Sequence, residues 1–140
     1  MSVVRKEKEI QPRSNSYAID GCPISLSRPR FGKGRTYDSQ KKLKFGVGIQ
    51  LKSQHEGPLF SGPLKLEMIF YMPIPKGMAK KLRLDPRTPH FKRPDIDNLS
   101  KWVLDNANSI CFSDDAQVSI LIAMKVYGQL PRTELTITEI

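Results

Sequence analysis

The sequence has few cysteines and no long apolar run, and each absence excludes a class of protein. Cys22 and Cys111 are its two cysteines, too few for the disulfide framework of a small secreted domain, so we expect free thiols in a reducing compartment. No apolar stretch approaches the roughly 20 residues of a membrane helix, and the N-terminus lacks the apolar core of a signal peptide. We therefore predict a cytoplasmic protein with no membrane partner.

Several signatures of catalysis are missing as well. The two histidines and two cysteines lie too far apart in the sequence for a zinc pattern. The Gly-x-x-x-x-Gly-Lys run that cradles nucleotide phosphates does not occur. Neither Ser109 nor Ser113 has an identifiable histidine base, which disfavours a nucleophilic hydrolase.

Acidic residues are scarce in the first two thirds of the chain. Residues 1–93 hold twenty Lys or Arg against seven Asp or Glu, whereas residues 94–140 hold three against seven. The local balances of +13 and −4 make up the net charge of +9. Nucleic acid is the favoured partner of such a chain, and a generally basic surface is the alternative.

Two basic segments are predicted to contact nucleic acid. The first covers residues 25–37 and the second residues 76–93, and both read as loops because of their Gly and Pro content. Basic loops hold the phosphate backbone without reading base sequence. The candidate DNA-binding residues are Arg28, Arg30, Lys33, Arg35, Lys76, Lys80, Lys81, Arg83, Arg87, Lys92 and Arg93.

The length of 140 residues suits one domain with a real core. We expect residues 1–16 to be a mobile basic tail and residues 17–140 to form the domain. The pattern β, α, β, α, β, β predicts an α+β fold, a single-layer mixed sheet with two main helices packed on it. The predicted strands cover 17–24, 64–71, 117–127 and 133–140, the last two as a hairpin. The first predicted helix begins after Asp38-Ser39, and the second covers residues 96–109.

The second predicted helix carries most of the candidate catalytic residues. Its apolar stripe runs from Ile96 to Ile110 and should bury against the sheet. Asp97, Lys101 and Asp105 are spaced i, i+4, i+8 and share another face. Pro94 disfavours helical geometry at Arg93, so the helix should begin just after Pro94. Asp95 and Asp97 should therefore lie close together at the N-terminus of the helix.

The acidic pair Asp114-Asp115 precedes the predicted strand over residues 117–127. If this strand lies beside the helix, three or four of the carboxylates of Asp95, Asp97, Asp114 and Asp115 come together at the N-terminus of the helix. The Lys101 ammonium points to the same place. Mg²⁺ or Mn²⁺ would offset the repulsion between these carboxylates and a polyanionic partner, because hard cations bind both carboxylate and phosphate oxygens.

Structural roles are an alternative for each of these residues. Asp95 suits an N-cap, and Asp97 suits the first turn of a helix, where the dipole favours an acid. Asp97 and Lys101 suit an ordinary i, i+4 ion pair. Asp114-Asp115 suits a turn. The residues alone therefore leave a metal site and a set of structural roles both open.

The motif resembles a known family. The run Arg93-Pro-Asp-Ile-Asp-Asn-Leu-Ser-Lys101, followed by Asp105, then Asp114-Asp-Ala-Gln-Val118 and Lys125, is similar to the signature of the RusA family of Holliday junction resolvases. The likeness covers residues 17–140 and is specific over residues 93–125. It implies a RusA-like fold in a homodimeric, Mg²⁺-dependent endodeoxyribonuclease of bacteria and their phages that cuts branched DNA.

The resemblance also implies roles for individual residues. Asp95, Asp97 and Asp115 match the metal-binding catalytic acids, and Lys101 matches the catalytic lysine. Asp114 matches the acid before the last carboxylate, in a secondary role. The connector between Lys101 and Asp115 is one residue shorter than in the best-known member of the family, so either Asp114 or Asp115 could take the inner metal-binding position.

The sequence-based hypothesis is therefore a Mg²⁺-dependent endonuclease that resolves Holliday junctions in recombination or repair. The alternative is a non-catalytic basic module that binds DNA or RNA. For the homodimer interface, Ile69 and Tyr71 are candidates, because they are apolar residues on the nominally polar face of their strand. Alternatively, the first helix of the same chain covers Ile69 and Tyr71, and they take no part in an interface.

Overall fold

The computed structural model describes residues 11–27, 30–32, 34–78 and 87–140. They form a four-stranded mixed sheet, a separate two-stranded sheet and two α-helices that share one core with the larger sheet. The predicted α+β fold with a single-layer mixed sheet and two helices is thus confirmed. Its elements are β1 (Ser14–Asp20), β2 (Arg30–Gly32), β3 (Arg35–Tyr37), α1 (Lys41–Gln54), β4 (Leu64–Met72), α2 (Ile96–Ala107), β5 (Val118–Tyr127), β6 (Arg132–Glu139), and short 3-10 helices over Lys76–Met78 and Asp115–Gln117.

The larger sheet has the strand order β1-β6-β4-β5. Strand β4 is antiparallel to β6 and parallel to β5, so the predicted β5–β6 hairpin is wrong. The chain instead crosses the end of β4, where the Gly128 N–H donates to the Met72 carbonyl at 2.9 Å. A Cβ at Gly128 would lie 2.9 Å from Tyr71 Cδ1, so this close crossing requires glycine.

The core lies between the helices and one face of the sheet. Alternate residues of β4, from Leu64 to Phe70, are at most 1% exposed on this face. The predicted stripe of α2 is confirmed, because Leu99, Val103 and Ala107 are fully buried. Trp102 packs in the same core instead of standing in solvent. Packing that begins at Leu99 therefore anchors α2 on the core directly after its first turn.

A β-bulge divides the apolar stripe predicted for β5. Leu64 pairs with Val118, but Lys65 pairs with Ile120, so β5 has one extra residue at this point. Val118 therefore packs against the core, whereas Ile120, Ile122 and Met124 lie on the open face, 43%, 49% and 41% exposed. The prediction of one continuous stripe from Val118 to Val126 is wrong, because sequence spacing does not reveal a bulge.

The open face also carries Ile69 and Tyr71, the residues considered for a dimer interface. Tyr71 is already buried, since the Arg132 guanidinium stacks 3.8 Å from its ring centroid and its hydroxyl donates to Glu134 at 3.3 Å. Ile69 is half-buried. The first helix does not cover them, because α1 packs its buried residues Val47 and Leu51 into the core on the other face.

Strand β1 begins three residues earlier than predicted and ends at Asp20 instead of Ile24. Gly21 ends it with a φ of +97°, outside the extended region. Ser14 and Ser16 lie inside the predicted tail but pair with Thr138 and Thr136 of β6. Residues 1–10 of that tail lie outside the described residues. Neither α-helix in the described ranges is long and apolar enough to span a membrane.

Candidate active site

The first turn of α2 presents two carboxylates to solvent. Asp95 is at the N-cap and Asp97 is in the first turn, and both are exposed. Asp95 makes no side-chain capping hydrogen bond. Asp97 Oδ1 accepts a hydrogen bond from the N–H of the next residue, Asn98, at 2.9 Å. The helix dipole favours both charges here. The capping role that was the alternative for Asp95 is therefore not observed.

Lys101 lies one turn further along the same exposed face of α2. Among the described residues it forms no ion pair, so the ordinary pair with Asp97 is absent. Asp105, one more turn along, instead pairs with Lys44 of α1 at 3.1 Å. Asp105 thus has a structural role, while Asp97 and Lys101 have no ion-pair partner in the described part of the chain.

Lys125 supports the loop that leads into α2. Its Nζ donates to the carbonyl oxygens of Lys92 at 2.6 Å and Pro94 at 2.8 Å. These carbonyls flank the cis peptide bond between Arg93 and Pro94, directly before Asp95. Lys125 therefore positions the backbone that carries the first carboxylate. Sequence reasoning noted Lys125 only as part of a motif, because contacts between a strand and a distant loop leave no local signal.

The acidic pair before β5 divides into two roles. Asp114 caps the short 3-10 helix Asp115–Gln117, since its Oδ2 accepts a hydrogen bond from the Ala116 N–H at 3.2 Å. Gln117 completes a capping box by accepting from the Asp114 N–H at 3.1 Å. The Asp115 side chain is exposed and has no hydrogen-bond partner among the described residues. The turn role therefore holds for Asp114, whereas the Asp115 carboxylate has no such role within the ranges that the structure describes.

The two groups of carboxylates lie at opposite ends of β5 within one chain. Lys125, near the end of β5, holds the start of α2, whereas Asp115 directly precedes the start of β5. At about 3.3 Å per residue, the strand separates these two ends by roughly 20 Å. Among the described residues, no three of His, Cys, Asp and Glu approach closely enough to bind a metal ion. The expected meeting of three or four carboxylates does not occur within a single chain, because α2 runs antiparallel to β5.

The described members of the two basic segments are exposed. Arg35 lies on β3, Lys76 begins a 3-10 helix, and Lys92 and Arg93 directly precede the first carboxylate of α2. Arg87 is exposed as well and donates to the Tyr71 hydroxyl at 3.3 Å. Arg30 is described by its backbone alone. The predicted residues Arg28, Lys33, Lys80, Lys81 and Arg83 lie outside the described residues.

Two further titratable groups are held neutral by their surroundings. Burial raises the pKa of the Cys111 thiol to about 11, so it is not a thiolate at neutral pH. Burial lowers the pKa of His90, and the positive charges of Lys125 and Lys92 lower it further. The charges around the start of α2 therefore come from its carboxylates and from neighbouring Lys and Arg residues.

These features define the class of the protein, a basic α+β domain with exposed carboxylates and an exposed lysine on one helix. The family profile of Endodeoxyribonuclease RusA matches residues 20–138. The chain belongs to the RusA family of endodeoxyribonucleases, as the sequence resemblance indicated.

Two curated proteins are similar over most of their length. Uncharacterized protein YqaN of Bacillus subtilis (strain 168) is 31% identical over 139 residues, which cover 89% of this chain and 95% of that protein. Crossover junction endodeoxyribonuclease rusA of Lactococcus phage r1t is 33% identical over 112 residues, covering 78% of this chain and 81% of that protein.

Proposed function

We propose that the protein is a metal-dependent, structure-selective endodeoxyribonuclease that resolves Holliday junctions and related branched DNA in recombination or repair. The observation that carries this proposal is the start of α2. There Asp95, Asp97 and Lys101 are exposed, and none has an ion-pair partner in the described part of the chain. Family membership and the name of the phage relative support the junction substrate.

The decisive experiment compares a labelled four-way junction with a linear duplex, with Mg²⁺ and with EDTA. We expect cleavage of the junction alone, and only in the presence of the metal. A non-catalytic basic module that binds DNA or RNA would bind without cutting either substrate. Equal cleavage of both substrates would contradict structure selectivity.

The separation of the carboxylates supports a homodimer as the working unit. The apolar side chains of Ile120, Ile122 and Met124 form a strip on the open face of β5 between the two acidic ends, and they are 43%, 49% and 41% exposed. A second copy, related by a twofold axis across the middle of β5, would cover this strip. It would also bring Asp95 and Asp97 of one subunit towards Asp115 of the partner subunit. Two such composite sites suit a twofold-symmetric junction, which needs two cuts.

The residues of a composite site fit a hard divalent cation. Asp95, Asp97 and the partner subunit's Asp115 supply only carboxylate oxygens, the donors that Mg²⁺ and Mn²⁺ prefer. When bound, the cation supplies a water of lowered pKa and polarises the phosphate. Lys101 would stabilise the negative charge that develops on the scissile phosphate. Asp114 would act by holding the turn that presents Asp115.

The exposed basic residues would hold the phosphate backbone, and their contacts predict a strong salt dependence. Arg35, Lys76, Lys92 and Arg93 are exposed in each subunit. Four phosphate contacts alone should weaken junction binding by roughly 10²-fold between about 50 and 200 mM salt. Fluorescence anisotropy with a labelled junction in Ca²⁺, which avoids turnover, measures this slope. A flat response would show that these side chains do not contact the backbone.

The substitution Lys125→Met tests the support of Asp95. It leaves the carbonyls of Lys92 and Pro94 without their donor, so the start of α2 should lose its alignment. Residues that orient metal ligands typically contribute about 10- to 100-fold in metal affinity, and we expect roughly a tenfold rise in the Mn²⁺ dissociation constant by calorimetry. Lys42→Met is the control, since it removes the same charge from an exposed side chain of α1 that has no ion-pair partner among the described residues. Loss of thermal stability with unchanged Mn²⁺ affinity would indicate a purely structural role.

A further inference from the structure

The outer surface of α1 contains a groove that the proposed nuclease site does not use. Its volume is about 580 Å³, and its apolar lining consists of Phe45, Gly48, Ile49 and Ile110. Phe45 is 72% exposed and Ile49 is 53% exposed, large values for such residues in a helix that buries Val47 and Leu51 on its inner side. Exposed apolar surface of this kind marks interaction sites.

A helix glycine keeps this groove open. Gly46 and Gly48 both lie inside α1, where each costs about 1 kcal/mol relative to alanine. A Cβ at Gly48 would touch Ile110 Cδ1 at 3.4 Å and begin to fill the groove, whereas a Cβ at Gly46 meets nothing within 4 Å. A larger side chain at position 48, such as leucine, would therefore project into the groove and fill part of it, although it would favour the helix.

The rim of the groove is positively charged. Lys41, Lys42 and Lys52 line it, are exposed, and have no ion-pair partner among the described residues. The fourth lysine, Lys44, is held by Asp38 at 2.6 Å and by Asp105 at 3.1 Å. None of the described residues that line the groove is acidic. An occupant would thus meet an apolar floor and unneutralised ammonium groups around it.

We propose that this groove is a docking site for an acidic segment of a partner protein, anchored by an apolar side chain. Aspartates or glutamates would pair with Lys41, Lys42 and Lys52, and a Phe or Leu would enter between Phe45, Ile49 and Ile110. DNA fits less well, because a base would bury its polar edges where the lining offers no polar group except the lysines. The groove also lies on the helix side of the sheet, so it stays accessible in the proposed dimer.

The test uses the full chain and a short fluorescein-labelled peptide in which aspartates flank a central Phe-Leu pair. Anisotropy should show saturable binding that Gly48→Leu weakens at least about tenfold, the equivalent of losing one buried apolar anchor. Gly46→Leu is the matched control, because it adds the same side chain to the same helix in open space, and it should leave affinity unchanged. Lys52→Glu should also weaken binding. Thermal melts of the variants check that the fold is retained.

Several outcomes would overturn the docking site. They are no peptide binding, equal binding to the wild type and Gly48→Leu, and equally tight binding of a peptide with Gly in place of Phe-Leu. Groove-dependent binding of a single-stranded oligonucleotide in place of the peptide would assign the groove to nucleic acid instead. A change of oligomeric state in Gly48→Leu alone would assign it to a second copy of this chain. None of these results depends on whether the protein cleaves junctions.

Discussion

Asp97→Asn is expected to lower the rate of junction cleavage by roughly 10³-fold or more while leaving junction affinity nearly unchanged. The substitution removes one negative charge and one strong metal ligand but keeps the size of the side chain and its hydrogen bond from Asn98. A bound divalent cation contributes several kcal/mol to phosphodiester hydrolysis, and each 1.4 kcal/mol corresponds to about a factor of ten in rate. Single-turnover cleavage, measured beside anisotropy in Ca²⁺, separates the rate from the affinity.

Asp105→Asn is the matched control for this experiment. It removes the same charge from the same exposed face of α2, two turns along, but Asp105 is engaged with Lys44. Loss of a surface ion pair should cost no more than about 1 kcal/mol of stability and little activity. Normal cleavage by Asp97→Asn, or equal loss in both variants, would contradict the role assigned to Asp97.

Mixed dimers of Asp97→Asn and Asp115→Asn chains are expected to recover strand nicking that neither homodimer has. If each site combines Asp97 of one subunit with Asp115 of the other, one of the two sites in the mixed dimer contains both substitutions. The other site keeps Asp97 of one subunit and Asp115 of the partner subunit, so its activity is intact. Recovery should be roughly 10³-fold above either homodimer, the reverse of losing the metal site. Purification through two different tags isolates the mixed dimer, and a denaturing gel measures nicking.

The matched control combines Asp97→Asn chains with Lys101→Met chains. Both positions lie on one helix of one subunit, so each site of that mixed dimer carries one substitution and no recovery is expected. Recovery in this control, or its absence in the first mixture, would contradict the composite site. A protein that stays monomeric by light scattering with and without a junction, yet makes paired cuts, would exclude the dimer itself.

The site residues of α2 could be predicted from sequence because their relations are local. Pro94 marks the helix start, and the four-residue spacing places Asp97 and Lys101 on one face of any α-helix. The apolar stripe from Ile96 to Ile110 likewise identifies the buried face from periodicity alone. The structure confirms this geometry, and it changes only the partners, since Asp105 pairs with Lys44 and Asp97 does not pair with Lys101.

The separate roles of Asp114 and Asp115 could not be predicted in this way. Two adjacent aspartates look equivalent in sequence, and the choice depends on which carboxylate accepts the Ala116 N–H in a short 3-10 helix. The role of Lys125 was hidden for a related reason. A lysine in an apolar strand gives no indication of which distant carbonyls it will contact.

The sequence by itself determined the class of fold, the buried and acidic faces of α2 and the family, because these depend on spacing along the chain and on a specific motif. Only the tertiary structure decided the strand order β1-β6-β4-β5, the bulge beside Val118 and the antiparallel course of α2 along β5. Alternating patterns specify that a strand has two faces, but not its neighbour, its register or its direction relative to a helix. Those relations, set by packing between distant segments, place Asp95 and Asp115 at opposite ends of one strand.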